Sequence, residues 1–292
     1  MTLTITGSLG NISRPLIEKL VAGGHHVRVI SSNQEKAREI KALGATPFIG
    51  SLTDTAFISQ SLKGTDGLYI MVPPDFSASN YNDFADKIHQ NYAQAIQLND
   101  IQFVVNLSSI GVSFAGVKPL ENFYNLEKRL DNIPGLNLVH LRPAMFYTNF
   151  YGSLPLVKHQ GIIGHNVAGN TDLLMTHPGD IAETAFTFLN TLSFSGSQIK
   201  YVISDVKSGN EIAQIISKAI AKPLTWAQFT DDDLLAALLQ NGFTRDAAES
   251  LVIATGKAIR EGLFDAFKEE VLWGRKFVDF AQEFERVYRS MQ

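Results

Sequence analysis

The sequence contains no cysteine, which removes several kinds of chemistry at once. Disulfide bonds, thiolate metal ligands and a cysteine nucleophile are all excluded. Long apolar runs are also missing, since no window approaches the ~18 uninterrupted residues of a membrane span. The first residues carry no signal-peptide pattern either. These absences predict a cytoplasmic protein that has no membrane partner.

Positive charge is not in excess. The formal net charge is −4, charged residues make up 18% of the chain, and there is no run of lysine and arginine. Without a basic field there is no general attraction to nucleic acid, so we expect no nucleic-acid partner. The histidines His159, His165 and His177 do not follow a metal-ligand spacing, and we expect no metal site.

Strand-like and helix-like segments alternate over the first ~150 residues, a pattern typical of a parallel sheet covered on both faces. The strand-like segments are residues 2–6, 26–31, 46–50, 67–72, 101–108 and 136–143. We therefore predict an α/β protein, a Rossmann-like doubly wound parallel sheet with a smaller, mostly helical C-terminal substrate lobe.

The alternation also predicts the domain organisation. Residues 1–150 are expected to form an NAD(P)-binding Rossmann domain, and residues 177–204, read as a helix and a strand, to complete its sheet. The remaining segments, 151–176 and 205–292, are expected to form the smaller substrate-binding lobe.

Small residues recur at a spacing of three between the first strand and the first helix, in the stretch TITGSLGNISRPL. Glycines in such a turn let backbone N–H groups approach a diphosphate, and the start of the helix adds partial positive charge. The alternative is an ordinary structural turn. The residues predicted to bind cofactor here are Gly7, Ser8, Leu9, Gly10, Asn11 and Ile12, with Ser13 as the third small position.

The end of the second strand bears on the choice of dinucleotide. An acidic residue there would favour NAD, but the sequence has Ser31, Ser32 and Asn33, followed by Lys36. Hydroxyls, an amide and an ammonium can accept a 2′-phosphate, so we favour NADP (NADPH) over NAD. The alternative is that Ser32 and Asn33 only cap the next helix.

The end of the fourth strand is the other predicted cofactor contact. Val72, Pro73 and Pro74 end this strand, where the chain of a Rossmann-like domain passes the cofactor.

Several longer segments resemble the NmrA-like family of atypical short-chain dehydrogenase/reductases, in particular its quinone and triphenylmethane reductase branch. The resemblance runs nearly end to end. The segments are TGSLGNISRPLIEKLVAGGHHVRVISSNQEKA, VVNLSSIG, LRPAMFYTNF, SGNEIAQIISKAIAKPLTW, LLQNGFTRDAAES and GKAIREG.

This resemblance implies a Rossmann domain, a small substrate lobe and a preference for NADP. The family includes reductases as well as redox-sensing regulators that bind dinucleotide without turning it over. The chain departs from the family pattern in carrying Ser32 where arginine is common and Ser13 where glycine is common.

A formal YxxxK sequence, YNLEK, provides candidate catalytic residues. Tyr124 and Lys128 lie one helical turn apart, and the ammonium would lower the pKa of the phenol for proton transfer. Ser108, at the end of the fifth strand, would polarise the substrate oxygen and also contact the cofactor. The alternative alignment pairs the family's Glu with Glu127 and puts the catalytic-helix position at Phe123, which leaves Tyr124 as a wall or surface residue.

These features predict an NAD(P)H-dependent oxidoreductase that reduces a small planar acceptor such as a quinone. A non-catalytic redox sensor with a protein partner is the alternative, and a sugar-nucleotide epimerase or dehydratase is a third candidate. Aromatic side chains would wall a slot for the flat acceptor. The candidate wall residues are Phe76, Phe146, Tyr147, Phe150 and Tyr151.

Overall fold

The protein is described from a computed structural model covering residues 1–113, 121–268, 270 and 274–291. The strands are β1 Thr2–Ile5, β2 His26–Ser31, β3 Thr46–Ile49, β4 Gly67–Ile70, β5 Phe103–Leu107, β6 Asn137–Pro143, β7 Met145–Phe146, β8 Ile162–His165, β9 Asp172–Thr176, β10 Ser197–Val202, β11 Asp205–Ser208 and β12 Thr225–Gln228.

The helices follow the same chain order. They are α1 Ser13–Ala22, α2 Lys36–Ala42, α3 Thr55–Ser61, α4 Tyr81–Leu98, α5 Glu121–Asp131, α6 Leu154–Gln160, α7 Pro178–Leu189, α8 Gly209–Ile220, α9 Asp231–Gln240, α10 Arg245–Ala248, α11 Ala254–Arg260 and α12 Phe277–Ser290. Short 3₁₀ turns cover Ile110–Ser113, Tyr147–Ser153 and Asp265–Phe267, and a π turn covers Glu249–Ile253.

The chain divides into two compact units. The first comprises Met1–Asp75, Asn80–Arg142 and Ile181–Tyr201. The second comprises Phe76–Ser79, Pro143–Asp180 and Val202–Gln292. A four-residue piece of chain after β4 thus belongs to the second unit.

The first unit is built on a seven-stranded sheet in the order β10-β6-β5-β4-β1-β2-β3. The pairings from β6 through β3 are parallel. The strand order reverses between β1 and β4, which makes this pair the topological switch point where α/β sheets bind ligands. The predicted α/β, Rossmann-like doubly wound architecture is confirmed.

One face of the sheet is covered by α3, α4 and α5, which pack side by side. Aliphatic side chains from the strands and these helices form a continuous buried cluster that includes Leu68, Val104, Ile88 and Leu126. Burying such side chains contributes about 1.5–3 kcal/mol each. This packing fixes which faces of α4 and α5 point inward.

The second unit contains two small sheets and most of the C-terminal helices. β9 pairs antiparallel with β11 and parallel with β7, while β8 and β12 form a two-stranded parallel sheet. Helices α8 and α12 pack together over an aromatic core to which Phe277, Phe280 and Phe284 contribute.

Side-chain caps define several helix starts. Ser208 and Glu211 form a reciprocal capping box at α8, and Asn80 accepts a hydrogen bond from the Asp83 amide at the start of α4. Such caps satisfy amide groups that have no partner within the helix, each contributing about 1 kcal/mol. Among the described residues, none of the helices combines the length and apolar character needed to cross a bilayer.

The pairing of β8 with β12 generates a stability prediction. Gly164 lies opposite Ala227, and a Cβ on Gly164 would sit 1.9 Å from the Ala227 carbonyl oxygen. Gly164→Ala should therefore lower the free energy of unfolding by about 1–3 kcal/mol, measured by urea denaturation. Gly152→Ala is the matched control, because nothing lies within 4 Å of its Cβ. Equal stability of the two variants would contradict this account of the strand pair.

Candidate functional site

The turn between β1 and α1 has an unusual backbone. Gly7 and Ser8 both have positive φ, at 87° and 54°, and the Gly10 amide donates to the Gly7 carbonyl at 3.1 Å. Glycine tolerates this left-handed conformation, whereas a side chain is strained there. A Cβ on Gly7 would also lie 2.6 Å from the Ser13 hydroxyl oxygen, so the helix packs closely beneath the turn.

Ser13 takes the third small position of the turn. Its hydroxyl donates to the Thr6 carbonyl at 2.8 Å, and the residue is buried. The hydroxyl is therefore satisfied by the end of β1, which allows serine to replace glycine without losing the close helix–strand contact.

The start of α1 is free of side-chain caps. In the described part of the chain, no side chain caps its first turn, and that turn contains no acidic residue. Gly10 and Asn11 are exposed beside it. The Arg14 amide of this turn donates to the Gly10 carbonyl at 3.0 Å and Pro15 has no N–H, so the amides available at this end are those of Ile12 and Ser13. These two amides and the partial positive charge of a helix start suit an anion such as a diphosphate.

The end of β4 lies beside this turn at the switch point. The Met71 amide donates to the Thr6 hydroxyl at 3.0 Å, and the Tyr92 hydroxyl donates to the Met71 carbonyl at 2.8 Å. Beyond Met71, Val72 and Pro73 are half-buried and Pro74 is exposed. The structure thus brings the predicted residues after β1 and β4 to neighbouring strand ends.

The turn after β1 is joined to the end of β2 by a hydroxyl contact, in which Ser8 donates to Ser31 at 2.8 Å. Ser32 and Asn33 are exposed, and the Asn33 side chain accepts a hydrogen bond from the Glu35 amide at 2.8 Å. Asn33 therefore shapes the turn before α2, while its neighbour Ser32 remains accessible.

A charged cluster lies on α1 and α2. Arg14 and Lys36 both pair with Glu39, Lys36 at 3.1 Å, and Arg14 also contacts Glu18. The hydrogen bond from Arg14, assisted by one from Lys36, holds the pKa of Glu39 below its usual value. Arg14 was not among the predicted site residues. Its position one residue after Ser13, at the start of the helix, is the sequence signal by which it could have been found.

Ser108, directly after β5, is part of a buried ionic cluster. Its hydroxyl donates to Glu127 of α5, and Arg142 of β6 donates to both Glu127 oxygens, at 3.0 and 2.5 Å. Glu127 is only 4% exposed. Arg142 also donates to the Tyr201 hydroxyl at 3.3 Å. Arg142 escaped sequence reasoning, although a charged residue ending an apolar strand is a recognisable signal.

Tyr124 and Lys128 occupy the outer side of the same helix. Tyr124 is 38% exposed, and the Lys128 ammonium lies 5.8 Å from the centre of its ring. Phe123, the alternative catalytic-helix position, is half-buried. Within the described residues, no hydrogen bond joins Tyr124 to Ser108. The structure therefore does not bring the three candidates into one set, and a catalytic role for them stays a prediction.

The predicted aromatic wall residues differ strongly in exposure. Tyr147 and Phe150 are buried in the core of the second unit, where the Tyr147 hydroxyl donates to the Arg275 carbonyl at 2.9 Å. Phe146 and Tyr151 are half-buried, and Tyr151 stacks on Phe284. Tyr147 and Phe150 thus serve core packing, and no face of the Tyr147 ring is accessible to a ligand.

Phe76 is the exception among these aromatics. It is 41% exposed and belongs to the segment between β4 and α4.

No group of three or more histidine, aspartate or glutamate side chains within the described ranges could hold a metal ion.

A doubly wound parallel sheet with a glycine turn and an uncapped first helix at its switch point defines the Rossmann class of dinucleotide-binding folds. The chain belongs to the NmrA-like family, whose model matches residues 1–255. The resemblance predicted from the sequence is thereby confirmed.

Individual relatives agree with this assignment. Quinone oxidoreductase 2 of Escherichia coli strain K12 is 23% identical over 269 residues, covering 91% of each chain. The crystal structure of an Escherichia coli NADPH-dependent quinone oxidoreductase with NADPH matches with a TM-score of 0.79 and 21% identity, over 97% of this chain and 99% of that one.

Two further structures are similar. The Citrobacter sp. triphenylmethane reductase complexed with NADP(H) gives a TM-score of 0.79 at 17% identity, over 97% of this chain and 99% of that one. NmrA, a negative transcriptional regulator in complex with NADP, gives a TM-score of 0.75 at 16% identity, over 99% of this chain and 97% of that one. At these identities the likeness establishes a shared fold.

The buried cluster at Ser108 yields a prediction. Glu127→Gln would leave Arg142 in the interior without a countercharge, so we expect a loss of about 3–5 kcal/mol in the free energy of unfolding, measured in urea. The double variant Glu127→Gln/Arg142→Met should recover much of it. Glu285→Gln, which breaks a surface pair with Arg289, should cost under about 1 kcal/mol. A similarly small cost for Glu127→Gln would contradict the assigned role of the pair.

Proposed function

We propose that the protein is an NAD(P)H-dependent reductase that transfers hydride from nicotinamide to a small planar acceptor of the quinone type. The observation that carries the proposal is the uncapped start of α1 beside the left-handed turn at Gly7 and Ser8. Its amides and partial positive charge suit the diphosphate of a dinucleotide. The similarity to quinone oxidoreductase 2 and to triphenylmethane reductase supports this proposal.

The chain's own residues would bind and orient. In our proposal the amides after Gly10 hold the diphosphate, with Ser8, Leu9, Asn11 and Ile12 around it. Val72, Pro73 and Pro74 then pass the nicotinamide side at the end of β4. When bound, the dinucleotide supplies the hydride. The protein contributes proximity and orientation, which can lower a barrier by ~7–11 kcal/mol in well-aligned cases.

Ser108 is not available as a proton donor in the geometry observed, because its hydroxyl hydrogen is directed at Glu127. We therefore propose that solvent supplies the proton that follows hydride transfer. A conjugated acceptor spreads the negative charge it gains, so it has less need of a positioned acid. Tyr124 and Lys128 are the second candidates for this step.

The preference for NADPH is proposed on the charges beside the end of β2. Arg14 and Lys36 are cationic, Ser32 is exposed, and no carboxylate ends the strand. A 2′-phosphate arriving there would compete with Glu39 for the two cations, and arginine suits phosphate geometry well. Glu39 and Glu18 together balance the charge of Arg14 and Lys36, so the phosphate would gain these cations by displacing a carboxylate.

A redox sensor is the second candidate function. One observation favours it: Ser108 and Tyr124 are not joined, so a dehydrogenase-type catalytic set is not assembled. The structurally similar NmrA is named a negative transcriptional regulator and is described with NADP and with NAD. In that case the chain would bind dinucleotide without turnover and act through a protein partner.

The first experiment separates these functions. Purified protein should bind NADPH saturably, measured by nicotinamide fluorescence, and should oxidise it when menadione is added. A Cβ on Gly10 would crowd the Gly7 carbonyl at 3.1 Å, so Gly10→Ala should raise the NADPH Kd about tenfold or more, ~1.4 kcal/mol. Gly152→Ala is the control. Binding without turnover would favour the sensor, and absence of binding would refute both.

The second experiment tests cofactor choice. Arg14→Ala should raise the Kd for NADPH about tenfold and that for NADH less than twofold, because only NADPH carries the 2′-phosphate. Lys19→Ala removes a positive charge from the same helix, where the ammonium pairs with Glu183 at 2.7 Å, and should change neither. Equal effects of Arg14→Ala on both cofactors would overturn the assignment.

A further inference from the structure

The junction of α9 and α10 fixes the position of one aromatic residue. Gly242 has a φ of 86°, and the amides of Gly242 and Phe243 return to the Leu239 and Leu238 carbonyls at 3.1 Å each. This is the hydrogen-bond pattern of a helix C-terminus that is closed by a residue in the left-handed conformation. The next residue, Thr244, caps α10 by accepting from the Ala247 amide. Phe243 therefore lies between a helix end that is closed by backbone hydrogen bonds and a helix start that is capped by the Thr244 hydroxyl.

Thr244 also ties down the segment that carries Phe76. Its amide donates to the Phe76 carbonyl at 2.9 Å, and its hydroxyl donates to the Ala78 carbonyl at 2.8 Å. The rings of Phe76 and Phe243 are in tilted contact, with centroids 4.3 Å apart and planes inclined by 30°. The backbone of each aromatic residue is therefore fixed by a hydrogen bond, and the two residues are hereafter called the Phe76–Phe243 pair.

The pair is rigid but remains open to solvent. Phe76 exposes more than a third of its surface, and Phe243 is half-buried. The adjoining helix α9 is rich in leucine, yet none of its side chains is buried. Together these residues present apolar surface whose ordering cost has already been met by folding, and binding to such a preorganised surface loses little conformational entropy.

The shape and chemistry of this surface indicate its ligand. An exposed aromatic ring such as that of Phe76 can stack on a flat, apolar or electron-poor ring, with a gain of ~0.5–1.5 kcal/mol beyond simple burial. A single ring overlaps one phenyl group, whereas a fused bicyclic ring system can also cover apolar surface around it. Phe76 follows Pro74 by two residues, so their Cα atoms are at most about 7 Å apart.

We propose that the Phe76–Phe243 pair is a stacking platform that makes the protein select fused bicyclic acceptors, such as naphthoquinones, over single-ring benzoquinones. This inference rests on the proposed reductase function and adds the determinant of acceptor size. Neither aromatic exchanges protons or electrons in this role. They lower the KM for the larger ring without entering the chemical step.

Steady-state kinetics with NADPH, comparing menadione with 1,4-benzoquinone, test the platform. Phe243→Ala should raise the KM for menadione about three- to tenfold, leave kcat within about twofold, and change the KM for benzoquinone less than twofold. Phe243→Tyr keeps the aromatic face and should retain the wild-type values. Val278→Ala, which removes an exposed apolar side chain of α12, is the matched control.

A binding measurement separates failure of this inference from failure of the proposed function. Menadione is titrated calorimetrically into wild type and Phe243→Ala in the presence of NADP⁺, where no turnover occurs. Weaker binding by the variant supports the platform even if the wild type reduces no quinone, in which case only the reductase proposal fails. Equal menadione affinity of the two proteins, absence of menadione binding to wild type, or equal KM changes for both acceptors would overturn it.

Discussion

The backbone N–H groups of Ile12 and Ser13, at the start of α1, are the constraint on which the proposed site depends. A helix end that carries no side-chain cap needs another partner for its N–H groups, and water or an anion must supply it. The left-handed backbone at Gly7 and Ser8 keeps side chains away from this end, and Ser13 brings the helix close to β1. These features give a diphosphate direct access to main-chain donors.

The two sides of helix α5 differ in burial. A helix turns ~100° per residue, so the adjacent residues Glu127 and Lys128 point in directions about 100° apart. Glu127 faces the sheet, where Arg142 compensates its charge and Ser108 adds a hydrogen bond. Tyr124 faces outward with Lys128. The ionic cluster therefore fixes the orientation of the helix and places the phenol on its outer side.

The aromatic residues of the second unit show how one residue type serves two purposes. Tyr147 and Phe150 fill the core beneath α12, where their large surfaces stabilise packing. Phe76 and Phe243 instead meet at the surface, where the Phe76 carbonyl accepts from the Thr244 amide and the Phe243 amide donates to the Leu238 carbonyl. In this unit, exposure of the ring is what separates the proposed stacking surface from the core.

The sequence by itself determined the α/β class, the family and the location of the glycine turn, because hydrophobic periodicity and small-residue spacing are local properties. The sequence also led to the prediction that the residues at the end of β4 contact the cofactor. Only the tertiary structure decided that Ser108 faces Glu127, that Arg14 and Lys36 share Glu39, and that Phe76 meets Phe243. Except for Lys36 and Glu39, which are three residues apart, these pairings join positions far apart in the chain, and only packing of the folded elements brings such positions together.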